Sequence, residues 1–267
     1  MMPDTKITVV VLTKNEERNL AACLDSVYGW ADEIIVADDE STDGTVEIAR
    51  RYNANIFKRR MDVEGIHRNW AYAQAKNEWV LSLDADERVT PQLRQEISLL
   101  FDEKEVKFNG FTIPRKNYIG SYWVRSGGWY PSPQLKLFRK DKFRYEEAQV
   151  HPRAFMEGEC AHLKSDLIHY SYRDFADFLD KLNRQSTLEA AKWRKQNKPM
   201  RLIHFSWRAL DRFFRTYVRK KSYRDGFVGF MIALFASLYQ IMSYAKYWEY
   251  HRCTQIKTRM DTDKKIG

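Results

Sequence analysis

The stretch NEWVLSLDADERV, residues 77–89, joins an apolar run to a knot of acids. Trp79 to Leu83 has the length and side chains of a buried strand. Asp84, Asp86 and Glu87 follow at once. Carboxylates this close disfavour one another's charged forms, and a strand has no need of them. In open parallel sheets, however, ligands bind outside the carboxyl ends of the strands. The acids are therefore expected to meet a positive partner there.

The chain on either side supplies the rest of such a sheet. Upstream, KITVVVLTKN (6–15), ADEIIVADDE (31–40) and the weaker ANIFKRR (54–60) read as strands. NEERNLAACLDSVYGW (15–30), STDGTVEIARRYN (41–53) and IHRNWAYAQAKN (66–77) read as helices between them. Downstream, TPQLRQEISLLF (90–101) opens with Thr90 at the N-cap position and Pro91 in the first turn. Strand–helix alternation with continuous apolar strands predicts a parallel, doubly wound sheet. From residue 109 the pattern shifts to shorter strands with polar turns, which extend the sheet with mixed pairing. SYRDFADFLDKLNRQSTLEAAKWRKQN (171–197) is then a long helix, with Ser171 and Asp174 in capping-box-like spacing.

Polar residues gather at the predicted strand ends: Thr13, Lys14, Asn15 and Glu16 after the first, Asp38, Asp39 and Glu40 after the second, and Asp84, Asp86 and Glu87 after the fourth. Three acidic strand ends in one crevice call for a cation or a set of ligand hydroxyls. Mg²⁺ or Mn²⁺ fits, because hard cations take carboxylate oxygen and keep phosphate as co-ligand.

The chain has 267 residues, 44% hydrophobic and 30% charged, with a formal net charge of +9. This suits one large domain with an appendage, and a partner rich in phosphate. Cys23, Cys160 and Cys253 are far apart and odd in number, which argues for free thiols over a disulfide framework or a zinc site. The start MMPDTKITVVVL lacks the pattern of a signal peptide, so the expected compartment is the cytoplasm.

The last third differs. Residues 201–224 hold eight Lys/Arg and one acid. On a helix, Arg201, Arg208, Arg212, Arg215 and Arg219 form one stripe, and Leu202, Phe205, Ala209, Phe213 and Tyr217 another. Residues 226–245 carry no charge and reach the roughly 20 residues of a bilayer span; YAKYWEY (244–250) resembles an interfacial aromatic belt. A basic stripe alone also suits nucleic acid, but nucleic-acid binding has no use for twenty uncharged residues beside it. An anionic inner membrane is the expected partner. The expected organisation is a catalytic domain over 1–197, membrane-associating helices over 198–250 and a polar tail over 251–267.

ITVVVLTKNEERNLAACLDSV, IIVADDESTDGT and WVLSLDADE resemble the opening of a family 2 glycosyltransferase of the GT-A fold. GGWYPSPQLKLFRKDKFRYEEAQVHPR and LIHYSYRDFADFLDKLNRQSTLEA are similar to bacterial lipopolysaccharide inner-core glycosyltransferases. The resemblance implies an α/β GT-A fold, Rossmann-like, with a mostly parallel mixed sheet flanked by helices and, here, a C-terminal helical membrane-associating extension. It implies an inverting transfer of sugar from a nucleotide donor, a UDP-sugar above all, to a lipid-anchored glycan at the cytoplasmic face of the inner membrane, with a divalent metal. By the same resemblance Thr13, Asn15 and Glu16 line the nucleotide pocket and Asp38 reads the base. Arg68 and Asn69 border that site. Asp84 contacts ribose, and Asp86 holds the metal with His169 as a further ligand. Relatives carry a glutamate where this chain has Pro152. The catalytic base is thereby displaced onto Glu147, with Glu146 and His151 as alternatives.

Blander readings stand beside these. Asp84 and Asp86 also suit a turn and cap before the helix at Thr90, and Asp43-Gly44 suits a turn more than a ligand site. Arg68 also suits a solvated helix face, His169 a hydrogen-bonded structural role, and Trp123, Trp129 and Tyr130 the core. Two rival functions remain: a polyprenyl-phosphate sugar transferase, which shares the fold, and a basic nucleic-acid-binding protein, which leaves the acidic crevice unexplained.

Overall fold

The computed structural model describes residues 6–102, 106–147, 153–197 and 202–266, with backbone alone at 202–205 and 251–266. The elements in chain order are β1 (Ile7–Thr13), α1 (Leu20–Asp25), β2 (Glu33–Asp38), α2 (Thr45–Arg51), β3 (Asn55–Lys58), α3 (Glu64–Ala73), β4 (Trp79–Asp84), β5 (Glu87–Val89), α4 (Pro91–Phe101), β6 (Gly110–Ile113), β7 (Arg115–Ile119), β8 (Tyr122–Trp123), β9 (Gln134–Arg139), β10 (Phe143–Tyr145), β11 (Ala154–Met156), β12 (Cys160–His162), β13 (Leu167–Tyr172), α5 (Phe175–Lys195), α6 (Leu202–Phe214) and α7 (Gly226–Ile266). They form two compact units, residues 1–118 with 130–171, and 119–129 with 172–267.

The first unit is built on a seven-stranded sheet of order β12-β6-β9-β4-β1-β2-β3. β1 runs parallel to β2 and β4, and β2 to β3, while β9 is antiparallel to β4 and β6. The alternation of strand side chains sorts the core. Val9 and Val11 of β1 join Leu20 and Leu24 of α1 and Leu93 and Ile97 of α4. Val10, between them, joins Ala71 and Tyr72 of α3 and Phe138 of β9. Both faces of β1 are thus covered, which explains why its apolar run is continuous. Each such side chain contributes about 1.5–3 kcal/mol on full burial. Thr90 caps α4 as expected, its hydroxyl accepting from Leu93 N at 3.1 Å.

Four local expectations change. The helix read over 15–30 contracts to α1, with turns on either side. The chain after Asp86 does not turn directly into α4. It forms β5, which pairs antiparallel with β13 so that Glu87 faces His169 in register. Ser171 does not cap α5. It lies in β13, and Asp174 is the cap, accepting from Asp177 N at 2.8 Å. The residues read as a polar tail continue α7 as helix to Ile266.

The second unit is helical. Phe178 and Leu182 of α5 share a buried cluster with Ile232 and Phe235 of α7 and with Ile119 and Val124. α5 therefore belongs by packing with the C-terminal helices, and the division between units falls at 171/172, upstream of the expected boundary at 197. α6 does not continue as one straight helix through the arginines. It passes into a single π-helical turn, Arg215–Arg219, and the chain then reverses through Lys221 (φ 59°), a 3-10 turn at Ser222–Asp225 and Gly226 (φ 56°). Gly229 of α7 packs so close to this reversal that a Cβ there would lie 1.6 Å from Ser222 O, which only glycine permits.

Candidate active site

Three parallel strands end side by side, and their last residues build a cleft of about 250 Å³. β1 contributes Leu12, Thr13, Lys14 and Glu16; the loop after β2 contributes Asp39; α3 and its approach contribute Met61, Glu64, His67 and Arg68; the end of β4 contributes Asp84, Ala85 and Asp86. The loops after β1 and β2 are laced together. Asn15 (φ 53°) donates its N–H to Ser41 Oγ and accepts from Thr42 N, both at 2.8 Å, and Glu16 N donates to Thr45 Oγ1 at 2.8 Å. Asp43 accepts from Glu17 N and Thr45 N, a turn role. Asp39 accepts from Lys14 Nζ and Met61 N, both at 2.8 Å. Burial alone would raise its pKa, but those contacts hold the carboxyl below its ordinary value.

The acids at 84, 86 and 87 part ways. Asp84 accepts from Lys136 Nζ at 3.0 Å and from Arg68 at 3.1 Å. Although desolvation opposes its charge, these two cations outweigh burial and hold it far below the usual carboxylate range. Glu87 is fully buried, pairs with Lys136 at 2.7 Å and Arg115 at 3.5 Å, and accepts from Asp84 N. Lys136, itself buried in β9, is kept charged above its ordinary pKa by the same two acids in spite of desolvation. For two of the three acids, the positive partner lies in the chain itself.

Asp86 is different. Its Oδ1 is buried with no hydrogen-bond partner among the described residues. Its Oδ2 lies 3.5 Å from His169 Nε2. His169 Nδ1 meets Asn117 Oδ1 at 2.7 Å. The Ser171 hydroxyl lies 3.0 Å from the same Nδ1, so the ring is held on that side with Nε2 toward Asp86. A buried carboxylate oxygen without a donor is a group that a cation completes. Among the described residues no three His, Cys, Asp or Glu side chains converge as a metal set. Asp86 and His169 would thus hold a divalent ion only together with ligand oxygens and water, the usual manner for Mg²⁺-type ions at diphosphates.

Of the residues expected at the site, Thr13, Glu16, Arg68, Asp84 and Asp86 line the cleft. Asn15 is occupied in loop lacing. Asp38 is fully buried behind the lining, with Oδ2 accepting from Ser41 N and Oδ1 unpartnered among the described residues; its neighbour Asp39 lines the cleft. Asn69 faces away to clamp Tyr145, donating to its O at 3.0 Å and accepting from its N at 2.7 Å. That clamp fixes the neck of the β10–β11 hairpin. Glu146 follows, its carboxylate accepting from Arg153 N at 3.3 Å, and then Glu147, exposed. His151 lies outside the described residues. Lys136, Arg115, Met61, Glu64 and His67 were not foreseen. A lysine within the apolar strand QLKLFR was the legible signal for the first.

The sequence profile of glycosyl transferase family 2 matches residues 8–160. The chain belongs to this family. It is 27% identical over the full length of both chains to the lipopolysaccharide core biosynthesis glycosyltransferase LpsC of Rhizobium meliloti. It is 25% identical, over 90% of this chain and 86% of the relative, to an uncharacterized glycosyltransferase of Rickettsia typhi. Among solved structures, the mannosyltransferase PcManGT of Pyrobaculum calidifontis, in complex with GDP-Man and Mn²⁺, aligns with 91% of this chain and 87% of its own at 13% identity and a TM-score of 0.50. The family 2 chain has a GT-A-like α/β fold: a mixed, mostly parallel sheet flanked by helices, with an apolar C-terminal helix.

Proposed function

We propose that this family 2 glycosyltransferase is metal-dependent and inverting, and moves a sugar from a nucleotide donor, a UDP-sugar, to a lipid-anchored glycan, the lipopolysaccharide core. The observation that carries the reading is Asp86 at the carboxyl ends of a parallel sheet, one carboxylate oxygen buried without a donor among the described residues and the other 3.5 Å from His169 Nε2. The GDP-Man and Mn²⁺ of the mannosyltransferase and the core-biosynthesis role in the name of LpsC support the donor class and the acceptor.

In this reading Asp86 and His169 would hold Mg²⁺ or Mn²⁺. When bound, the ion supplies positive charge where the leaving group gains negative charge. Lys136 and Arg68 hold Asp84 ionised and fixed, toward the donor ribose. Thr13, Glu16 and Arg68 wall the nucleotide, with Asn15, Asp38 and Asn69 supporting that wall. Glu147 takes the proton of the acceptor hydroxyl as its oxygen bonds to the anomeric carbon; the bond to the diphosphate breaks and its electron pair leaves with the nucleotide. Glu146, already tied to Arg153 N, is the weaker candidate.

The chain would work at the cytoplasmic face of the bacterial inner membrane, held there by the second unit. Trp207, Leu210, Phe214 and Val218 expose one apolar stripe, and Phe227, Phe230, Leu234 and Ile241 of α7 another. Arg208, Arg215, Arg219, Lys220, Lys221 and Arg224 are exposed beside them, as anionic lipid requires. The most apolar part of Ser222–Tyr250 is only 28% buried, whereas a soluble core helix is mostly buried. Truncation at 197 is a poor test, because it strips α5 of α7. Flotation with anionic vesicles, comparing wild type with Trp207→Glu and Phe214→Glu, tests the surface without cutting the core; equal flotation of all three refutes it.

The donor site is tested by calorimetry with uridine diphosphate in Mn²⁺, in EDTA, and in Mn²⁺ with Asp86→Ala. Binding confined to wild type with metal supports the reading. Failure of uridine, cytidine, guanosine and adenosine diphosphates alike with folded wild type sinks it.

A further inference from the structure

Three atoms in the cleft wall are buried without a partner among the described residues: Asp86 Oδ1, Thr13 Oγ1 and His67 Nδ1. A buried polar atom left unmet costs about 1–3 kcal/mol, so each asks for a ligand. Asp86 is ionic and asks for a cation. The other two are neutral and ask for something else.

His67 is only 3% exposed. Its ring is set by packing. It lies 5.4 Å from Trp70, which is itself braced edge-on by Phe57 at 6.5 Å and capped by the Arg59 guanidinium at 5.2 Å. The ring is therefore oriented without using Nδ1. Burial, the largest influence, pushes its pKa down from the ordinary value, with nearby Arg59, Arg68 and Lys14 adding to this and Asp39 opposing it. A neutral imidazole is a poor grip for phosphate, which offers charge and acceptors only. It suits a partner that offers donors and acceptors side by side. Among the charged residues that line the cleft, Thr13, Met61 and His67 are the uncharged polar and thioether ones. The Met61 side chain offers an adaptable apolar surface for a planar ring.

We infer that His67 is a specificity-determining residue of the donor site, its Nδ1 reading the polar edge of the donor's nucleobase beside the Thr13 hydroxyl. This rests on the proposal that a nucleotide sugar fills the cleft, and adds the residue that discriminates among bases. The cost of leaving such a nitrogen unmet turns a wrong base into a weaker ligand.

The test is calorimetric, with uridine, cytidine, guanosine and adenosine diphosphates and inorganic pyrophosphate as probes, each with Mn²⁺, into wild type, His67→Ala and His67→Gln. The expected result has three parts. The preferred nucleotide loses at least about tenfold in affinity in His67→Ala, the ranking of the four bases flattens, and pyrophosphate binds as before. His67→Gln, which keeps a polar edge, retains more of the affinity. Uniform weakening of all four nucleotides with their ranking intact assigns the contact to ribose and overturns the inference. So does parallel loss of pyrophosphate, or unchanged discrimination. If His67→Ala does not fold, His67→Gln decides by the same ranking: altered discrimination supports the inference and unaltered discrimination overturns it. Wild type binding none of the four nucleotides removes the proposed function beneath it, a result distinct from wild type discriminating and the variants discriminating equally.

Discussion

Two aspartates, one in each unit, one buried and one half-buried, show what a carboxylate is for. Asp225, 5% exposed in the helical unit, is saturated. Its oxygens accept from Tyr122 Oη and Arg125 N at 3.2 Å, from Ser126 N at 2.8 Å and from the Ser126 hydroxyl. Asp86, in the sheet unit, has an oxygen with no donor among the described residues. The first carboxylate holds backbone in place; its charge is matched by the fold. The second has a buried oxygen that the fold leaves unmet, and such groups persist in proteins chiefly where a ligand completes them. Asp84 and Glu87, whose charges Lys136 meets, lie on the matched side of this divide, although they flank Asp86 in sequence.

The largest expected effect comes from moving those two acids across the divide. Lys136→Met removes their shared cation and should cost about 3–5 kcal/mol of folding stability, read as a fall in the urea midpoint. A midpoint within error of wild type would show that Asp84 and Glu87 do not depend on Lys136, and the contrast with Asp86 would collapse. Next is Asp86→Asn. It should lower kcat/KM by about 10²–10³-fold while leaving the midpoint unchanged or raising it, since it deletes an unmatched charge. Activity intact, or a marked loss of stability, would place Asp86 with the structural acids. Third is Asp225→Ala, which strands the Arg125 and Ser126 amides. The expected loss is about 2–3 kcal/mol with nucleotide affinity unchanged in the folded protein. A variant that melts like wild type would show those amides to be met otherwise.

The division between the two aspartates was only half legible in the sequence. Strand ends were readable because β-branched runs stop abruptly at polar residues, so Asp86 could be placed at a sheet edge. The cation that neutralises its neighbours could not, because Lys136 is fifty residues away and comes alongside only when β9 pairs antiparallel with β4. The hydrophobic pattern fixes which face a residue takes, not which strand lies next to it. His67 was passed over for a similar reason. On a helix it reads as an ordinary polar residue, and its orphaned nitrogen exists only once Trp70 and the sheet enclose it. In the helical unit the arginine periodicity was read as if one helix continued, and the π turn at 215–219 broke its phase. The exposed apolar stripe, Trp207 to Val218, is a face that reading did not single out; of the stripe it did, Ala209 is buried, and Phe213 and Tyr217 stack on each other with centroids 5.5 Å apart.

The smallest effect separates matched from unmatched groups by pH. Desolvation would raise Asp39, Asp43, Glu96 and Asp177, yet hydrogen bonds, joined by nearby cations for all but Asp43, hold each below its ordinary value. A carboxyl lowered in the folded state stabilises above its unfolded pKa, and that stability is lost as pH falls through the folded one. Their contribution should disappear below about pH 4. His67 is also lowered, by burial, so the unfolded chain takes up its proton first. Its contribution is full above about pH 6.5 and shrinks as pH falls toward its folded pKa. Acid destabilisation should therefore come in two windows, the upper owed to the group left open for a ligand and the lower to groups whose partners are in the fold. Urea midpoints at pH 7, 5.5, 4 and 3 should show His67→Gln flat across the upper window and parallel to wild type in the lower one. A variant that tracks wild type from pH 7 to 5.5 would mean that His67 is not held neutral by the fold, and the role inferred for its imidazole would lose its basis.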